Sequence, residues 1–144
     1  VATMQPGFWQ AEAGLDRYYG EANNASYPVK ELIEAGVSVG MSTDFGVSPL
    51  ELSAPAKIMN IAMTGGGAAR TPLAMRDVID GLSRGSAATT GRDDCGALYP
   101  GKKADMVVYG KDLYAVAPEE LSKDNPKVLA TWISGRKVYD ASAS

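Results

Sequence analysis

The stretch VSVGMSTDFGVSP, residues 37–49, decides the fold of the first part of the chain. Its small and β-branched residues over 37–43 predict a short strand that is buried on both faces. Strands of that kind are typical of parallel sheets, in which helices cover both sides. A turn follows at once, so the strand ends at a defined point.

Asp44 lies at the carboxyl end of this predicted strand. In parallel α/β folds, functional groups gather where strands end and loops begin. A carboxylate there can bind a divalent metal ion or take a proton from a metal-bound water, so Asp44 is the candidate catalytic and metal-binding residue. The alternative is that Asp44 accepts hydrogen bonds from N–H groups of the turn that follows.

The segments around this strand alternate between strand and helix patterns. The predicted elements are a strand at 1–6, a long loop at 7–26 with a helical turn within 11–19, and helices at 27–36, 48–63 and 71–91. The last of these is either one helix or two helices joined near Gly85. Ser48 and Thr71 are predicted to cap the second and third helices, because a proline follows each of them at a first helical position. This order of elements predicts parallel α/β structure for residues 1–91.

The loop at 7–26 is rich in aromatic residues. Long ordered loops on a compact scaffold often carry function. Trp9, Tyr18 and Tyr19 are therefore candidate substrate-lining residues. The alternative is that these rings pack over an edge of the core.

Residues 92–144 form a second predicted part, made of short strands and turns. A strand at 104–110, a short helix opening at Pro118 and a hairpin at 127–140 with a turn at Ser134-Gly135 are expected. Three strands make a poor independent sheet and leave exposed edges. We therefore expect partner strands from a longer chain, or a homo-oligomer or element-swapped dimer of this one.

Composition excludes several classes of function. The net charge of −3 and the pI of about 4.9 argue against nucleic-acid binding. No apolar run approaches the ~20 residues that span a bilayer, so no membrane partner is expected. The chain has one cysteine, Cys95, and no histidine. A nucleophilic cysteine usually needs a histidine, so Cys95 is interpreted as structural, and a single cysteine fits a cytoplasmic protein.

Four ordered segments of the chain match patterns of one known family. GVSVGMSTDFGVSPLE is similar to a last barrel strand and its loop, with Thr43 where serine is common. KVLATWISGRKVYD is similar to a closing hairpin, and VATMQPGF to the strand region just after a last histidine ligand. The signature G-x-L-x-x-G-K-x-A-D is matched at Gly96, Leu98, Gly101, Lys102, Ala104 and Asp105. Through these segments the chain resembles the amidohydrolase superfamily, and within it the branch of N-substituted formamide deformylase-like proteins.

The resemblance implies an α/β fold, namely the C-terminal portion of a (β/α)8 barrel (about strands 7–8 and the following helices) plus part of a composite β-sandwich. It implies a divalent metal, commonly zinc, and a small-molecule amide or cyclic amide as substrate. Asp44 matches the aspartate that completes the metal site and moves protons. Asp105 matches a structural position.

The absence of histidine departs from the family pattern, in which histidines hold the metal. This chain is therefore expected to bind no metal and to hydrolyse nothing by itself, although the intact protein would. The sequence leaves open a non-catalytic assembly or binding module. A small nucleotide-binding domain is disfavoured, because no glycine-rich turn joins the first strand to the first helix.

Overall fold

The computed structural model describes residues 1–11, 15–47, 54–67, 70–123 and 126–143. The strands in these ranges are β1 (Ala2–Met4), β2 (Val39–Met41), β3 (Met106–Tyr109), β4 (Val128–Ile133) and β5 (Arg136–Asp140). The α-helices are α1 (Gly7–Ala11), α2 (Asp16–Tyr19), α3 (Val29–Glu34), α4 (Pro55–Thr64), α5 (Met75–Asp80), α6 (Ser86–Thr89) and α7 (Pro118–Lys123). Helices of the 3-10 type cover Gly20–Ala25 and Leu113–Ala115, and a π-helical stretch at Gly81–Gly85 joins α5 to α6.

Strands β1 and β2 form a parallel pair in which Ala2 lies opposite Val39 and Met4 opposite Met41. All three residues of β2 are buried, as the sequence of 37–43 predicted. The pairing continues one step beyond the strands, because the N–H of Ser42 donates to the carbonyl oxygen of Met4 at 3.0 Å. Since the strands are parallel, both carboxyl ends lie at the same edge of the sheet.

The helical run from α5 to α6 packs directly against β2. A Cβ atom placed on Gly85 would lie 1.9 Å from the carbonyl oxygen of Val39, and one on Gly81 would lie 2.8 Å from Cγ of Met41. The hydroxyl of Ser86 donates to the carbonyl oxygen of Met41 at 2.8 Å. Glycine is therefore required at 85, because a Cβ there would meet the backbone of β2 and push the helix away from the strand. At 81 a Cβ would meet only the Met41 side chain, which would have to shift.

The predicted start of this helix was wrong. Thr71 and Pro72 lie before the helix, which begins at Met75 with Ala74 as its N-cap. Leu73 is buried in the core, and its N–H donates to the carbonyl oxygen of Ala62 at 3.0 Å. That contact with α4 holds the segment in an extended form, which overrides the local helix-start pattern.

The helix predicted from Ser48 to Met63 is described only in part. Its expected cap at Ser48 and first turn at 48–53 lie outside the described residues. Within them, α4 begins with Pro55 at a first helical position, where a proline is tolerated. The amide of Asn60 in α4 donates to the carbonyl oxygen of Pro118 at 2.6 Å, so α4 also contacts the start of α7. No helix in the described ranges has the length and apolar character that crossing a membrane requires.

The loop predicted at 7–26 is more helical than expected. Two short α-helices and a 3-10 helix occupy most of it. Tertiary packing accounts for α1, because Trp9 is only 1% exposed and holds this helix in the core. The buried core cluster consists of Trp9, Val29, Val39, Met41, Met59, Ile61, Ala62, Leu73, Met75, Val78, Leu113, Val116 and Leu121.

The second sheet is antiparallel, with strand order β3-β4-β5. The β4–β5 turn has positive φ at both Ser134 (49°) and Gly135 (77°), as two-residue hairpins of type I′ require. The carboxylate of Asp105 accepts a hydrogen bond from the N–H of Ser134 at 2.6 Å, and the N–H of Gly135 donates to Ala104 at 3.0 Å. The hairpin predicted at 127–140 is therefore confirmed. The residues just before β3 are hydrogen-bonded to its turn.

The carboxylate of Asp94 forms ion pairs within the segment between α6 and β3. Asp94 forms ion pairs with Lys103 at 2.7 Å and with Arg92 at 3.1 Å. Hydrogen bonds from these two cations hold the pKa of the Asp94 carboxyl well below its usual range. All three groups are well exposed, so solvent screens the pairs and they contribute little to stability.

Candidate functional site

Asp44 lies just beyond the carboxyl end of β2, at the sheet edge where both parallel strands end. It is exposed, and its backbone is in the left-handed region with φ of 49°. Aspartate is among the few residue types that adopt this conformation at low cost. β2 ends at Met41, and the chain turns at Asp44 shortly beyond it.

The turn itself spans Asp44–Val47. The N–H of Val47 donates to the main-chain carbonyl oxygen of Asp44 at 3.0 Å. Gly46 has a φ of 95°, which is the conformation that the third residue of a type II turn needs and that glycine supplies without strain. This hydrogen bond uses the main chain of Asp44, and the predicted catalytic and metal-binding role of its carboxylate stays a prediction.

Within the part of the chain that the structure describes, the side chains that could bind a metal ion are too few to form a complete site. The sequence contains no histidine. Across the described ranges, no group of three or more cysteine, aspartate or glutamate side chains could hold a metal ion. Protein zinc sites use three or four protein ligands, commonly nitrogen or sulfur. The oxygen of Asp44 fits as one ligand of such a site, but the described residues do not complete the set.

The three aromatic candidates lie in different surroundings. Trp9 is buried in the core, where its indole N–H has no hydrogen-bond partner among the described residues. Tyr18 and Tyr19 are 68% and 63% exposed, and the guanidinium of Arg17 lies 4.6 Å from the ring centre of Tyr18. Trp9 thus packs in the core instead of lining an open pocket, because burying its ring stabilises α1. A substrate contact by the two tyrosines stays a prediction.

Two exposed apolar residues next to Asp44 were not singled out from the sequence. Phe45 is 75% exposed and Val47 is 72% exposed. The signal was present in the sequence, since the stretch DFGVS places two apolar side chains in a turn, where small and polar residues are usual. Only the structure shows that neither residue packs inward.

Two cavities among the described residues have linings that do not include Asp44. A shallow groove of about 400 Å³ is lined by Arg84, Ala87, Ala88, Gly91, Arg92, Asp93, Cys95 and Lys102. A smaller apolar cavity of about 190 Å³ is lined by Ala54, Pro55, Ala56, Met59, Tyr109, Pro126 and Val128. Burial raises the pKa of the Tyr109 phenol beside this second cavity. Asp44 is thus on an open sheet edge, outside either cavity.

Comparison with known proteins gives one family and several similar structures. The model of the amidohydrolase family matches residues 1–139. A search of curated protein sequences finds no match. An uncharacterized metal-dependent hydrolase from Pyrococcus horikoshii is similar in structure, with a TM-score of 0.70 and 24% identity over 81% of this chain and 25% of that one.

Two deaminases are also similar in structure. The guanine deaminase of E. coli has a TM-score of 0.56 and 25% identity over 78% of this chain and 30% of its own. An adenosine deaminase from Xanthomonas campestris with bound zinc has a TM-score of 0.56 and 21% identity over 90% of this chain and 34% of its own. The chain therefore spans only about a quarter to a third of the length of these structures.

Proposed function

The chain belongs to the amidohydrolase family, and we propose that it is the C-terminal part of a metal-dependent hydrolase that cleaves a non-peptide C–N bond. The observation that carries this proposal is the position of Asp44, exposed at the carboxyl end of a buried parallel strand within the matched residues 1–139. The similar metal-dependent hydrolase supports metal-dependent hydrolysis, and the two similar deaminases support a C–N bond as the target.

Asp44 is the residue of this chain that takes part in the proposed chemistry. A metal ion bound in the intact protein would supply an activated water at neutral pH. The carboxylate of Asp44 would contribute one ligand oxygen and hold the proton that the attacking water gives up. Asp44 is exposed at this end of the sheet. Its left-handed backbone, with φ of 49°, fixes the position from which its side chain leaves the main chain.

The finer features of the proposal rest on the sequence motifs. They favour the N-substituted formamide deformylase-like branch, zinc as the metal, and a small amide or cyclic amide as the substrate. They also favour assigning residues 1–91 to barrel strands 7–8 and the following helices, and residues 92–144 to part of a composite β-sandwich. The zinc bound to the adenosine deaminase from Xanthomonas campestris supports the choice of metal. The single cysteine supports a cytoplasmic location.

Metal removal tests the proposed function on the full-length native protein. We expect its intact mass to correspond to a chain several hundred residues longer than this one. We also expect it to hydrolyse small amides, and a chelator should abolish this activity and added zinc should restore it. Activity should fall to background, because metal-activated water is the proposed nucleophile. The 144-residue chain, assayed with zinc, serves as the control and should be inactive because its ligand set is incomplete. Chelator-resistant hydrolysis, or a native length of 144 residues, would contradict the proposal.

The chain by itself is proposed to self-associate. Apolar side chains of the second sheet are well exposed, among them Val107, Val108, Ile133, Val138 and Tyr139. Parallel strands β1 and β2 also form a sheet of only two strands within the described residues. Exposed apolar surface and open strand edges favour pairing between chains. Light scattering at micromolar concentration should give a dimer or larger species, and a monomer would count against this proposal.

A further inference from the structure

The main-chain groups of β2 point to two edges, and β1 pairs with one of them. The N–H of Ala2 donates to the carbonyl oxygen of Ser38 at 2.9 Å. The N–H of Ser42 donates to the carbonyl oxygen of Met4 at 3.0 Å. Ser38 and Ser42 therefore direct their main-chain groups toward β1. Because successive residues of a strand direct these groups to opposite edges, the carbonyl group of Met41 points away from β1.

The hydroxyl of Ser86 reaches this second edge of β2. It donates to the carbonyl oxygen of Met41 at 2.8 Å, and it lies at the same distance from the carbonyl oxygen of Gly81 in its own helical run. Met41 is only 2% exposed, and a buried carbonyl group without a partner is costly. Within the described ranges β2 is paired with β1 alone, so Ser86 supplies the hydrogen bond that a strand on the other side would otherwise provide.

The helical run holds Ser86 in this position. The π-helical stretch Gly81–Gly85 ends immediately before it, and such stretches are frequently found at functional sites. Gly85 lies so close to the strand that an added Cβ would be 1.9 Å from the carbonyl oxygen of Val39. The helix is therefore locked against β2 at the residue that precedes Ser86.

We propose that Ser86 is a positioning residue for Asp44. The end of β2 is held from both sides, by Met4 through the N–H of Ser42 and by Ser86 through the carbonyl group of Met41. Asp44 follows Met41 by only three residues, so these two bonds fix the point from which its carboxylate acts. A displacement of about 1 Å can cost a catalytic group about 10²-fold in rate. The inference rests on the proposed function and extends it to a residue on the neighbouring helix.

Kinetics of the full-length, metal-loaded protein test this role. Ser86→Ala should lower kcat by about tenfold and change KM by less than about twofold, because the carboxylate is less well placed while the substrate contacts remain. Ser86→Thr keeps a hydroxyl and should restore most of the rate. Ser83→Ala is the matched control, since the Ser83 hydroxyl donates to the carbonyl oxygen of Ile79 at 2.6 Å within the same helical run. The control should keep kcat within about twofold of the wild type.

A double variant separates positioning from general structural damage. A residue that acts through the carboxylate of Asp44 has little left to change once that carboxylate is gone. In the Asp44→Asn background, Ser86→Ala should therefore lower the residual kcat by less than about twofold. A full further loss in this background would overturn the inference, and so would a wild-type kcat in Ser86→Ala alone.

Hydrogen exchange gives a readout that does not depend on activity. In the metal-free full-length protein, the amides of residues 42–47 should exchange about fivefold faster in Ser86→Ala than in the wild type, which is the scale of one lost hydrogen bond. Ser83→Ala should leave their exchange unchanged. Unchanged exchange in Ser86→Ala would contradict the inference. Faster exchange in a protein without metal-dependent hydrolysis would mean that Ser86 holds the strand end and that the proposed function is wrong.

Discussion

Asp44→Asn lowers kcat of the full-length protein by about 10²–10⁴-fold, which is the usual contribution of a general acid or base. The amide of asparagine cannot take the proton that the attacking water gives up, and it is a weaker ligand for a divalent metal. The fold should persist, because asparagine adopts the left-handed backbone of Asp44 (φ 49°) as readily as aspartate does. Steady-state kinetics on a panel of small amides, with thermal unfolding of the same samples, measures both effects.

Asp105→Asn is the matched control, since it makes the same chemical change in the second sheet. The carboxylate of Asp105 accepts a hydrogen bond from the N–H of Ser134, and the variant should lose about 1 kcal/mol of stability at most. Its kcat should stay within about twofold of the wild type. If Asp44→Asn keeps the wild-type kcat, Asp44 is only a turn residue and the catalytic proposal is wrong.

Gly85→Ala should destabilise the chain by about 3 kcal/mol or more, which is large for a single added methyl group. The new Cβ would lie 1.9 Å from the carbonyl oxygen of Val39 and 2.7 Å from its carbonyl carbon. Both atoms belong to the backbone of the buried strand β2, so no side chain can rotate to make room. The helix must move away from β2, which also weakens the hydrogen bond from Ser86 to Met41. Urea unfolding followed by circular dichroism measures the loss.

Gly110→Ala is the control for this change. A Cβ there would meet its nearest neighbour, the carbonyl oxygen of Lys127, at 3.5 Å, which is an ordinary van der Waals contact. Gly110 is also outside the left-handed region, so alanine is not strained there. The free energy of unfolding should change by about 1 kcal/mol at most. Wild-type stability in Gly85→Ala would mean that the helix does not pack on β2 as closely as the structure has it.

Several elements followed from sequence patterns that act over a few residues. The strand within 37–43 was predicted from its buried residue types, and β2 confirms it. The hairpin within 127–140 was predicted from the Ser134-Gly135 turn, whose positive φ angles are observed. The helix within 27–36 was predicted from its apolar stripe, and α3 confirms it, although Pro28 precedes the first helical residue. These signals depend only on residues that are close in sequence, so they can be read without knowing how the rest of the chain folds.

Other features depended on contacts between distant residues. The helix α1 at the start of 7–26 is consistent with the burial of Trp9, which a run of aromatic residues does not reveal by itself. The start of α5 at Met75 follows from the hydrogen bond between Leu73 and Ala62, which holds the preceding residues extended. The exposure of Phe45 and Val47 could not be predicted, because a local pattern does not show which apolar residues reach the core.

For this protein, the sequence by itself determined the family, the strand that precedes Asp44, the closing hairpin and the absence of histidine. These depend on residue identity and local spacing. The tertiary structure alone decided why position 85 must be glycine, where Trp9 lies and which apolar side chains remain exposed beside Asp44. Those features depend on which surfaces meet, and the contacts involved join residues that are far apart in the chain.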